Sequence, residues 1–255
     1  MSLIKTEAEI AILREGGKRL ATIMATLTAA VRPGLSGREL DALARQLIAD
    51  HPGDRPSFLN YQPEGAPRPY PAALCVSIND AVVHGIPDDR PFQTGDLVGL
   101  DLGLEHRGLF TDMATTVSVG EPGPAARELL RATETALAAG IAAARPGGKI
   151  GDISAAIEQV ARRRGLGVVR ELGGHGVGHA VHEPPHIPNF GRAGRGEPLA
   201  AGMVLAIEPM FTLGSGTVKF GDDGYLVTTA DGALAAHFEH TILLTATGPQ
   251  ILTAI

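Results

Sequence analysis

The most informative stretch of this chain is GGHGVGHAVHEPPH, which runs from Gly173 to His186. It carries four histidines within twelve residues, among glycines that give the backbone access to conformations closed to other residues. His182 and His186 satisfy the H-E-x-x-H pattern of zinc proteases, in which a helix places both histidines on one face. Two prolines, Pro184 and Pro185, lie between these histidines and exclude a helix interior. The sequence therefore excludes the helical zinc-protease arrangement.

Four carboxylates elsewhere in the chain lie in apolar or glycine-flanked runs. They are Asp101 in GLDLG, Asp112 in TDM, Glu208 in IEPM and Glu239 in FEHT. An ionised carboxylate in a hydrophobic strand is costly unless a cation lies beside it, and few Lys or Arg residues are close in sequence. Together with His175 they form an oxygen-rich ligand set that suits Mn²⁺, Fe²⁺, Co²⁺ or Zn²⁺. Because four carboxylates carry more charge than one divalent ion needs, the sequence predicts two divalent metal ions.

Composition and charge exclude several classes of protein. The 255 residues have a net charge of −6 and no long basic run, which argues against specific nucleic-acid binding or an anionic membrane surface. The single Cys75 excludes an internal disulfide, and the acidic N-terminal segment is unlike a secretory signal. No apolar run approaches the roughly 18 residues of a membrane helix. We expect one cytoplasmic catalytic domain over residues 1–255, monomeric by default.

Hydrophobic periodicity predicts a mixture of helices and strands. An apolar stripe from Ile10 to Val31, preceded by the capping box Thr6-Glu7-Ala8-Glu9, predicts a first helix, and a similar box at 36–39 opens a second. The remaining predictions are helices at about 124–144 and 151–164, strands at 73–78, 97–104, 113–119, 203–213, 217–220, 225–229 and 235–245, and loops at 62–71 and 191–198. The eleven-residue spacing from Asp101 to Asp112 fits two antiparallel strands joined by a polar turn at 105–108.

A faint internal repeat indicates that one unit occurs twice. Residues 31–34, VRPG, match residues 144–147, ARPG, and GDLVGLD at 95–101 matches GMVLAIE at 202–208. In the second pair an apolar strand begins after glycine and reaches an acid six residues later. Two related halves, roughly 1–120 and 121–255, would place Asp101 and Glu208 at equivalent positions, and would do the same for Asp112 and Glu239. A duplicated fold therefore predicts that the carboxylates converge.

The order and spacing of these motifs resemble those of the type I methionine aminopeptidases. The resemblance covers nearly the whole chain. The matching segments are Ile4-Lys5-Thr6, Ser77-Ile78-Asn79, His84-Gly85-Ile86-Pro87, Asp101, Asp112, Gly174-His175-Gly176-Val177-Gly178, His182-Glu183-x-Pro185, Ile207-Glu208-Pro209-Met210 and Glu239-His240-Thr241. It implies the pita-bread fold shared with prolidase, aminopeptidase P and creatinase. In this α/β (α+β) fold, two pseudo-twofold halves surround a curved antiparallel sheet, with helices outside and a dinuclear metal centre inside.

The resemblance also implies an activity and the residues that perform it. The implied activity is removal of the initiator methionine from the N-termini of nascent polypeptides, at the ribosome, when the second residue is small. The implied metal ligands are Asp101, Asp112, His175, Glu208 and Glu239, of which Asp112 and Glu239 would bridge the two ions. In addition, Glu208 would move a proton, His182 would donate to the developing oxyanion, and His84 would position the scissile amide.

One segment and one residue depart from the pattern of the type I methionine aminopeptidases. Many of them have a Tyr-His-Gly-Tyr-Pro segment lining the methionine pocket, where this chain has EGAPRPY at 64–70. Val181 stands where many have an aromatic residue beside the histidine motif. Tyr70 and Cys75 are expected to bind the substrate side chain, with Phe58 and Tyr225 as further lining residues. Because the loop at 62–69 and Val181 differ from those of the similar enzymes, the pocket is predicted to be wider than usual.

Two alternatives remain open from the sequence. One is another hydrolase of the same fold, such as an X-Pro dipeptidase, and the other is a non-catalytic protein that holds a peptide in the same groove. Prolidase and aminopeptidase P normally carry a large additional N-terminal domain, whereas the first helix is predicted to start near residue 6. A binding protein has no need for all five ligands. Both features favour the aminopeptidase.

Overall fold

Four helices and fifteen strands occupy the residues described by this computed structural model, which are 2–63 and 65–255. The helices are α1 (Glu7–Ala30), α2 (Gly37–Ala49), α3 (Pro124–Ala143) and α4 (Ile150–Arg164). The strands before α3 are β1 (Asp54–Pro56), β2 (Leu74–Ile78), β3 (Ala81–Val83), β4 (Leu97–His106) and β5 (Leu109–Ser118). Those after α4 are β6 (Gly167–Val168), β7 (Gly173–Gly176), β8 (Glu183–Pro188), β9 (Val204–Ile207), β10 (Met210–Thr212), β11 (Val218–Phe220), β12 (Val227–Thr229), β13 (Ala235–His237), β14 (Glu239–Thr245) and β15 (Gly248–Ile251).

A curved antiparallel sheet of nine strands forms the centre of the molecule. Its order is β1-β4-β5-β14-β9-β7-β8, with β2 beside β4 and β15 beside β14. Two three-stranded sheets, β13-β10-β6 and β11-β12-β3, complete the strand structure among these residues. Strand β14 hydrogen-bonds to β5 on one side and to β9 on the other, so strands from before and after α3 share one sheet.

The helices begin where the capping boxes predict and pack on alternate residues of the central strands. Thr6 and Ser36 each accept the backbone N–H three residues later, while Glu9 and Glu39 accept the N–H groups of the capping residues. Leu100 of β4 packs in a buried cluster with residues of α1 and α2. Because successive side chains of a strand point to opposite faces, Asp101 faces away from that cluster.

Two predicted strands are interrupted, and the predictions of continuous strands at 203–213 and 235–245 are wrong. Strand β9 ends at Ile207 in the large sheet and β10 begins at Met210 in a small one, because Pro209 has no N–H to donate to a ladder. In the segment 235–245, β13 ends at His237 in the same small sheet and β14 begins at Glu239 in the large sheet, so the chain crosses between the two sheets at Phe238. Pairing of β10 with β13 aligns the two crossings. Glu208 and Glu239 are thereby brought to the line where the sheets meet.

The predicted hairpin between 97–104 and 113–119 is present but longer than expected. Strand β4 continues to His106 and β5 begins at Leu109, which leaves a two-residue turn in place of the predicted turn at 105–108. Arg107 and Gly108 have φ values of 51° and 81°. Positive φ at both central positions matches the twist of a two-residue hairpin, so the turn fixes the register of the strands.

The histidine-rich stretch forms two strands that periodicity did not predict. Strands β7 and β8 pair across it, although glycine and proline are both unfavourable in strands. The glycines are required by close backbone approach. A Cβ on Gly174 would lie 2.3 Å from the carbonyl oxygen of Ala206, and one on Gly176 would lie 2.1 Å from that of Pro184. Tertiary packing therefore overrides intrinsic propensity here.

No helix among the described residues is long and apolar enough to span a membrane.

Candidate active site

Three neighbouring strands bring three of the expected carboxylates to one face of the large sheet. Asp101 of β4 lies opposite Ala114 of β5, and Glu239 of β14 lies opposite the same Ala114 from the other side. Asp112 is two residues from Ala114 along β5 and therefore shares its face. The N–H of Asp112 donates to Oγ1 of Thr241 at 2.9 Å, and the Thr241 hydroxyl donates to the carbonyl oxygen of Asp112 at 2.7 Å. These bonds hold β5 against β14 beside the carboxylates.

His175 and Glu208 approach from the other part of the sheet. His175 of β7 lies opposite Ala206 of β9, close to the end of the strand that precedes Glu208. Its Nδ1 lies 2.9 Å from the carbonyl oxygen of Gly176, which can only accept, so Nδ1 carries the proton of the neutral ring. Its unprotonated Nε2 lies 3.4 Å from Oε1 of Glu208. The lone pair of His175 is thus directed towards the carboxylates.

The five expected residues form overlapping groups of candidate ligand atoms. The atoms within 4.8 Å of one another belong to Asp101, Asp112 and Glu239 in one group, to His175, Glu208 and Glu239 in a second, and to Asp112, His175 and His182 in a third. Glu239 belongs to the first two groups, and Asp112 belongs to the first and the third. His175 belongs to the second and the third, so three shared residues connect all the groups into one cluster.

Burial makes this cluster expensive unless cations accompany it. Removal from water raises the pKa of all four carboxyl groups, and the neighbouring carboxylates raise the pKa of Asp101, Asp112 and Glu239 further. Oδ1 of Asp101 and Oε1 of Glu239 are buried without a hydrogen-bond partner. No Lys or Arg in the described part of the chain forms an ion pair with any of the four. Orphaned carboxylate oxygens and an imidazole with a free lone pair are a donor set that fits divalent metal ions.

The cluster lies at the base of a cavity of about 390 Å³ with an apolar side. That side contains the expected pocket residues Tyr70, Cys75, Phe58 and Tyr225. The rings of Tyr70 and Tyr225 meet edge to face with their centroids 5.0 Å apart. The hydroxyl of Tyr70 donates to the carbonyl oxygen of Gly85 at 2.8 Å, so its polar end is satisfied while its ring faces the cavity.

Both histidines expected to contact substrate line this cavity. His84 follows β3 with a φ of 60°, a conformation uncommon for a residue with a side chain. Burial, with His182 nearby, lowers the pKa of His84 to about 4. The ring centroid of His182 lies 4.5 Å from that of His175, and partial desolvation lowers the pKa of His182 as well, although the residue is exposed. Both rings are therefore neutral at neutral pH and can each offer one N–H.

Sequence reasoning missed two residues of the site. Nε2 of the buried His237 lies 3.3 Å from Oε2 of Glu208. Tyr61 lies in the cavity lining, and its hydroxyl is 3.0 Å from Nδ1 of His182. His237 is two residues before Glu239, so strand alternation was the signal that could have found it. Tyr61 lies in an irregular segment and gave no periodic signal.

The other histidines near the motifs point elsewhere. Nδ1 of His240 lies 2.9 Å from Oγ1 of Thr253, and Nε2 of His179 lies 2.7 Å from Oε1 of Glu9. His186 is exposed on β8, next to a separate surface cavity. None of the three lines the cavity above the carboxylates.

The segment that departs from the resembling enzymes closes one side of the cavity. The described residues of the predicted loop, 62–63 and 65–71, contain no helix or strand, and Pro63 reaches the cavity lining. The hydroxyl of Tyr225 donates to the carbonyl oxygen of Arg68. A Cβ on Gly224 would overlap the ring of Pro67, so the loop packs directly on the backbone beside Tyr225. Val181 belongs to the same apolar cluster as Tyr70 and Cys75 but stays behind the lining.

A buried carboxylate and histidine cluster beneath a cavity, on a curved antiparallel sheet, is the arrangement of a metal-dependent hydrolase. Residues 11–246 match the sequence model of Metallopeptidase family M24. The chain belongs to this family.

Similar proteins match over the whole length of the chain. The methionine aminopeptidase of Clostridium perfringens is 44% identical over 255 residues, which are 100% of both chains. Methionine aminopeptidase 1 of Bacillus subtilis is 41% identical, again over 100% of both. The crystal structure of the methionine aminopeptidase from Thermotoga maritima superposes with a TM-score of 0.93 at 38% identity, covering 99% of each chain. The chain thus has the pita-bread fold that the sequence predicted.

More distant structures share the fold alone. Prolidase from Pyrococcus furiosus superposes with a TM-score of 0.75 at 23% identity. The match covers 99% of this chain but 66% of that one.

Proposed function

We infer that the chain is a type I methionine aminopeptidase, a metal-dependent hydrolase that removes the N-terminal methionine of proteins. The observation that carries this proposal is the convergence of Asp101, Asp112, His175, Glu208 and Glu239 beneath the cavity, in a chain that matches such enzymes from end to end. Its substrates are the N-termini of nascent polypeptides, reached at the ribosome in the cytoplasm. The chain acts as a monomer, without a specific nucleic-acid or membrane partner.

The five converging residues would hold two divalent ions, drawn from Co²⁺, Mn²⁺, Fe²⁺ or Zn²⁺. Asp112 and Glu239 are the bridging candidates that the resemblance implies, and both are carboxylates that belong to two groups of close ligand atoms; His175 also belongs to two groups, but its neutral ring has only one lone pair to offer. When bound, such ions polarise a peptide carbonyl and lower the pKa of water. Four carboxylates and one neutral imidazole would balance the charge of two divalent ions.

His182 is suited to donate a hydrogen bond to a developing oxyanion. Burial raises the pKa of the Tyr61 hydroxyl, which keeps its proton and can donate to Nδ1 of His182. The proton of the neutral imidazole then lies on Nε2. A donor fixed before the reaction begins stabilises charge that appears in the transition state.

His84 and Glu208 would perform the remaining steps. Neutral His84 lines the cavity and can hydrogen-bond the scissile amide, which holds the peptide bond in place. Burial raises the pKa of Glu208 above its ordinary value, and a buried carboxylate close to the reacting atoms can accept and return a proton. Glu208 would accept the proton of the attacking water at a carboxylate oxygen and pass it to the leaving amine nitrogen.

The apolar side of the cavity would accept the methionine side chain. Methionine is unbranched and polarisable, so the wall formed by Tyr70, Cys75, Phe58 and Tyr225 suits it. The second residue must then lie beside the carboxylate cluster, where a small side chain fits and a long one collides.

Hydrolysis of two peptide series tests this function. We expect Met-Ala-Ser to be cleaved after methionine in the presence of Mn²⁺, Fe²⁺ or Co²⁺, and Ala-Pro peptides to be left intact. Cleavage of Ala-Pro in place of Met-Ala-Ser would identify an X-Pro dipeptidase. Tight binding of both peptides without hydrolysis, at full metal occupancy, would identify a peptide-binding protein.

A further inference from the structure

A charged network outside the cavity holds the segment that carries His182. This segment, residues 177–183, runs from the end of β7 to the first residue of β8 and is called here the His182 loop. The ammonium of Lys5 is completely buried and forms an ion pair with Oε1 of Glu183, the residue that follows His182. Lys5 immediately precedes the capping residue of α1, so the N-terminal segment and the His182 loop are joined directly.

The Glu183 carboxylate closes the His182 loop on itself. Its Oε2 accepts the N–H of His179 at 3.1 Å and the N–H of Ala180 at 3.3 Å. One side chain therefore ties the end of the loop to its middle. The carbonyl oxygen of Gly178 accepts the N–H of Phe110 at 2.8 Å, which attaches the start of the loop to β5.

The backbone and side chain of Lys5 are held by neighbouring segments, and a second contact, between His179 and Glu9, also joins α1 to the His182 loop. Its N–H donates to the carbonyl oxygen of Gly202 at 2.9 Å, just before β9. A Cβ on Gly178 would overlap the Lys5 side chain, so the lysine packs against the loop backbone as well. Nε2 of His179 lies 2.7 Å from Oε1 of Glu9, the capping-box acid of α1. An ion pair and a histidine–carboxylate contact thus join the start of α1 to the His182 loop.

Stability alone is a weak reason for a buried ion pair. The desolvation of two charges offsets much of their attraction, and apolar pairs of similar volume often stabilise as well or better. What the pair adds is fixed geometry, because Glu183 is oriented by three donors at once. The residue directly before it must place a ring nitrogen within hydrogen-bonding distance of a reacting atom.

We propose that Lys5 is a positioning residue for His182, acting through Glu183. The inference rests on the proposed role of His182 as the oxyanion donor. The ion pair and the two N–H bonds fix the backbone of the His182 loop, while the Tyr61 hydroxyl fixes the ring. Without the ammonium, Glu183 loses its orientation and the Nε2 donor of His182 shifts. A displacement of about 1 Å at a reacting group can cost on the order of 10²-fold in rate.

The test is a double-mutant cycle between Lys5→Met and His182→Ala, measured on the metal-loaded enzyme with Met-Ala-Ser. We expect Lys5→Met to lower kcat about 10- to 100-fold, with KM and metal stoichiometry close to wild type. In the His182→Ala background the same substitution should have almost no further effect, because the donor that it positions is already gone. Lys18→Met, an exposed lysine on α1, is the matched control and should leave kcat unchanged.

A paired substitution covers the case in which Lys5→Met leaves an unpaired buried charge and fails to fold. Lys5→Met with Glu183→Gln removes both charges and keeps an oxygen that can accept the loop N–H groups. We expect this variant to fold and to show the same kcat loss. Wild-type kcat in a folded Lys5 variant, or an equal loss with and without His182, would overturn the proposal. If His182→Ala alone left kcat unchanged, the assignment of His182 in the proposed function would be wrong instead.

Discussion

Asp101 and Asp112 lie diagonally across the β4–β5 hairpin, because Asp101 is opposite Ala114 and Asp112 is opposite Gly103. Both carboxylates therefore lie on the same face of the sheet, offset by two residues along the strand direction. Like charges held side by side in a buried site disfavour their own ionised forms. The short Arg107-Gly108 turn fixes this register, so the sequence of a hairpin sets the spacing of two buried acids whose ionised forms a nearby cation would stabilise.

The first prediction concerns removal of the metal. Exhaustive chelation should abolish hydrolysis of Met-Ala-Ser, and Mn²⁺, Fe²⁺ or Co²⁺ should restore it. The apo protein should also have a lower Tm, because a ligand at 100 times its Kd stabilises the native state by about 2.7 kcal/mol. Calorimetry and metal analysis on the same samples provide the measurement. Full activity in protein shown to be free of metal would contradict the two-ion site.

A second prediction separates metal ligands from residues that act on the substrate. Asp112→Asn should lower both metal occupancy and kcat, because it removes a charge shared by two groups of ligand atoms. His182→Ala should keep the metal and lower kcat on the order of 10²- to 10³-fold, the effect of losing one oxyanion donor. Titration calorimetry with Mn²⁺ and steady-state kinetics measure the two effects. Loss of metal in His182→Ala but not in Asp112→Asn would reverse the assignment.

The third prediction concerns His237, whose ring faces the second oxygen of Glu208. His237→Leu should lower kcat/KM by roughly tenfold, because it places an apolar side chain beside Oε2 of Glu208, where Nε2 of the imidazole lies 3.3 Å away, and a buried polar group left without a partner costs about 1–3 kcal/mol. His237→Gln keeps an N–H donor and should retain most of the activity. His186→Gln, an exposed histidine on β8, is the control. Equal kcat/KM for the leucine and glutamine variants would show that His237 only fills space.

A fourth prediction concerns substrate preference at two positions. An apolar pocket discriminates one methylene by only about 1–3 kcal/mol, so norleucine and leucine at the first position should be cleaved at measurable rates. At the second position, Gly, Ala, Ser and Thr should be accepted, whereas Leu and Lys collide beside the carboxylate cluster. We expect kcat/KM on Met-X-Ser peptides to fall sharply for the large residues. Equal kcat/KM for Met-Ala-Ser and Met-Lys-Ser would show that the second residue does not lie beside the carboxylate cluster.

The fifth prediction is the pH dependence contributed by His84. Burial lowers its pKa from 6.5 to about 4, so the unfolded chain binds one more proton than the folded one between these values. Stability should therefore decrease as pH falls from about 6.5 to about 4. His84→Asn should reduce that slope by about 1.4 kcal/mol per pH unit. Urea unfolding across this range compares the two proteins, and parallel curves would show that His84 titrates normally.

Local chemistry in the sequence was sufficient to predict the helices and the hairpin. The capping boxes at Thr6 and Ser36 form as expected, because their hydrogen bonds involve only residues within one turn. The eleven-residue spacing from Asp101 to Asp112 predicted the antiparallel pair of strands that carries both acids. The acids were recognisable because a carboxylate in an apolar run needs a partner that the sequence around it does not supply.

Features that depend on distant backbone contacts were not predictable from sequence. The crossings after Ile207 and at Phe238 occur where β10 and β13 pair in a second sheet, which no local pattern reveals. Strands β7 and β8 are rich in glycine and proline, and the glycines of β7 are required by close backbone approach, so residue propensities did not predict these strands. Tyr61 reaches His182 from an irregular segment 121 residues away. Such contacts are set by the assembled fold.

The position of β14 in the sheet has a consequence for the order in which this chain is synthesised. Strand β5 carries Asp112 but leaves one edge open until β14 pairs with it, and Glu239 is translated 127 residues later (239 − 112). At about 5–20 residues per second, roughly 6–25 s separate the two. During that interval β5 is an unpaired edge, a hazard for association with other chains. An enzyme proposed to trim chains as they emerge could thus not become active itself until Glu239, the last of its proposed metal ligands in the sequence, had been translated.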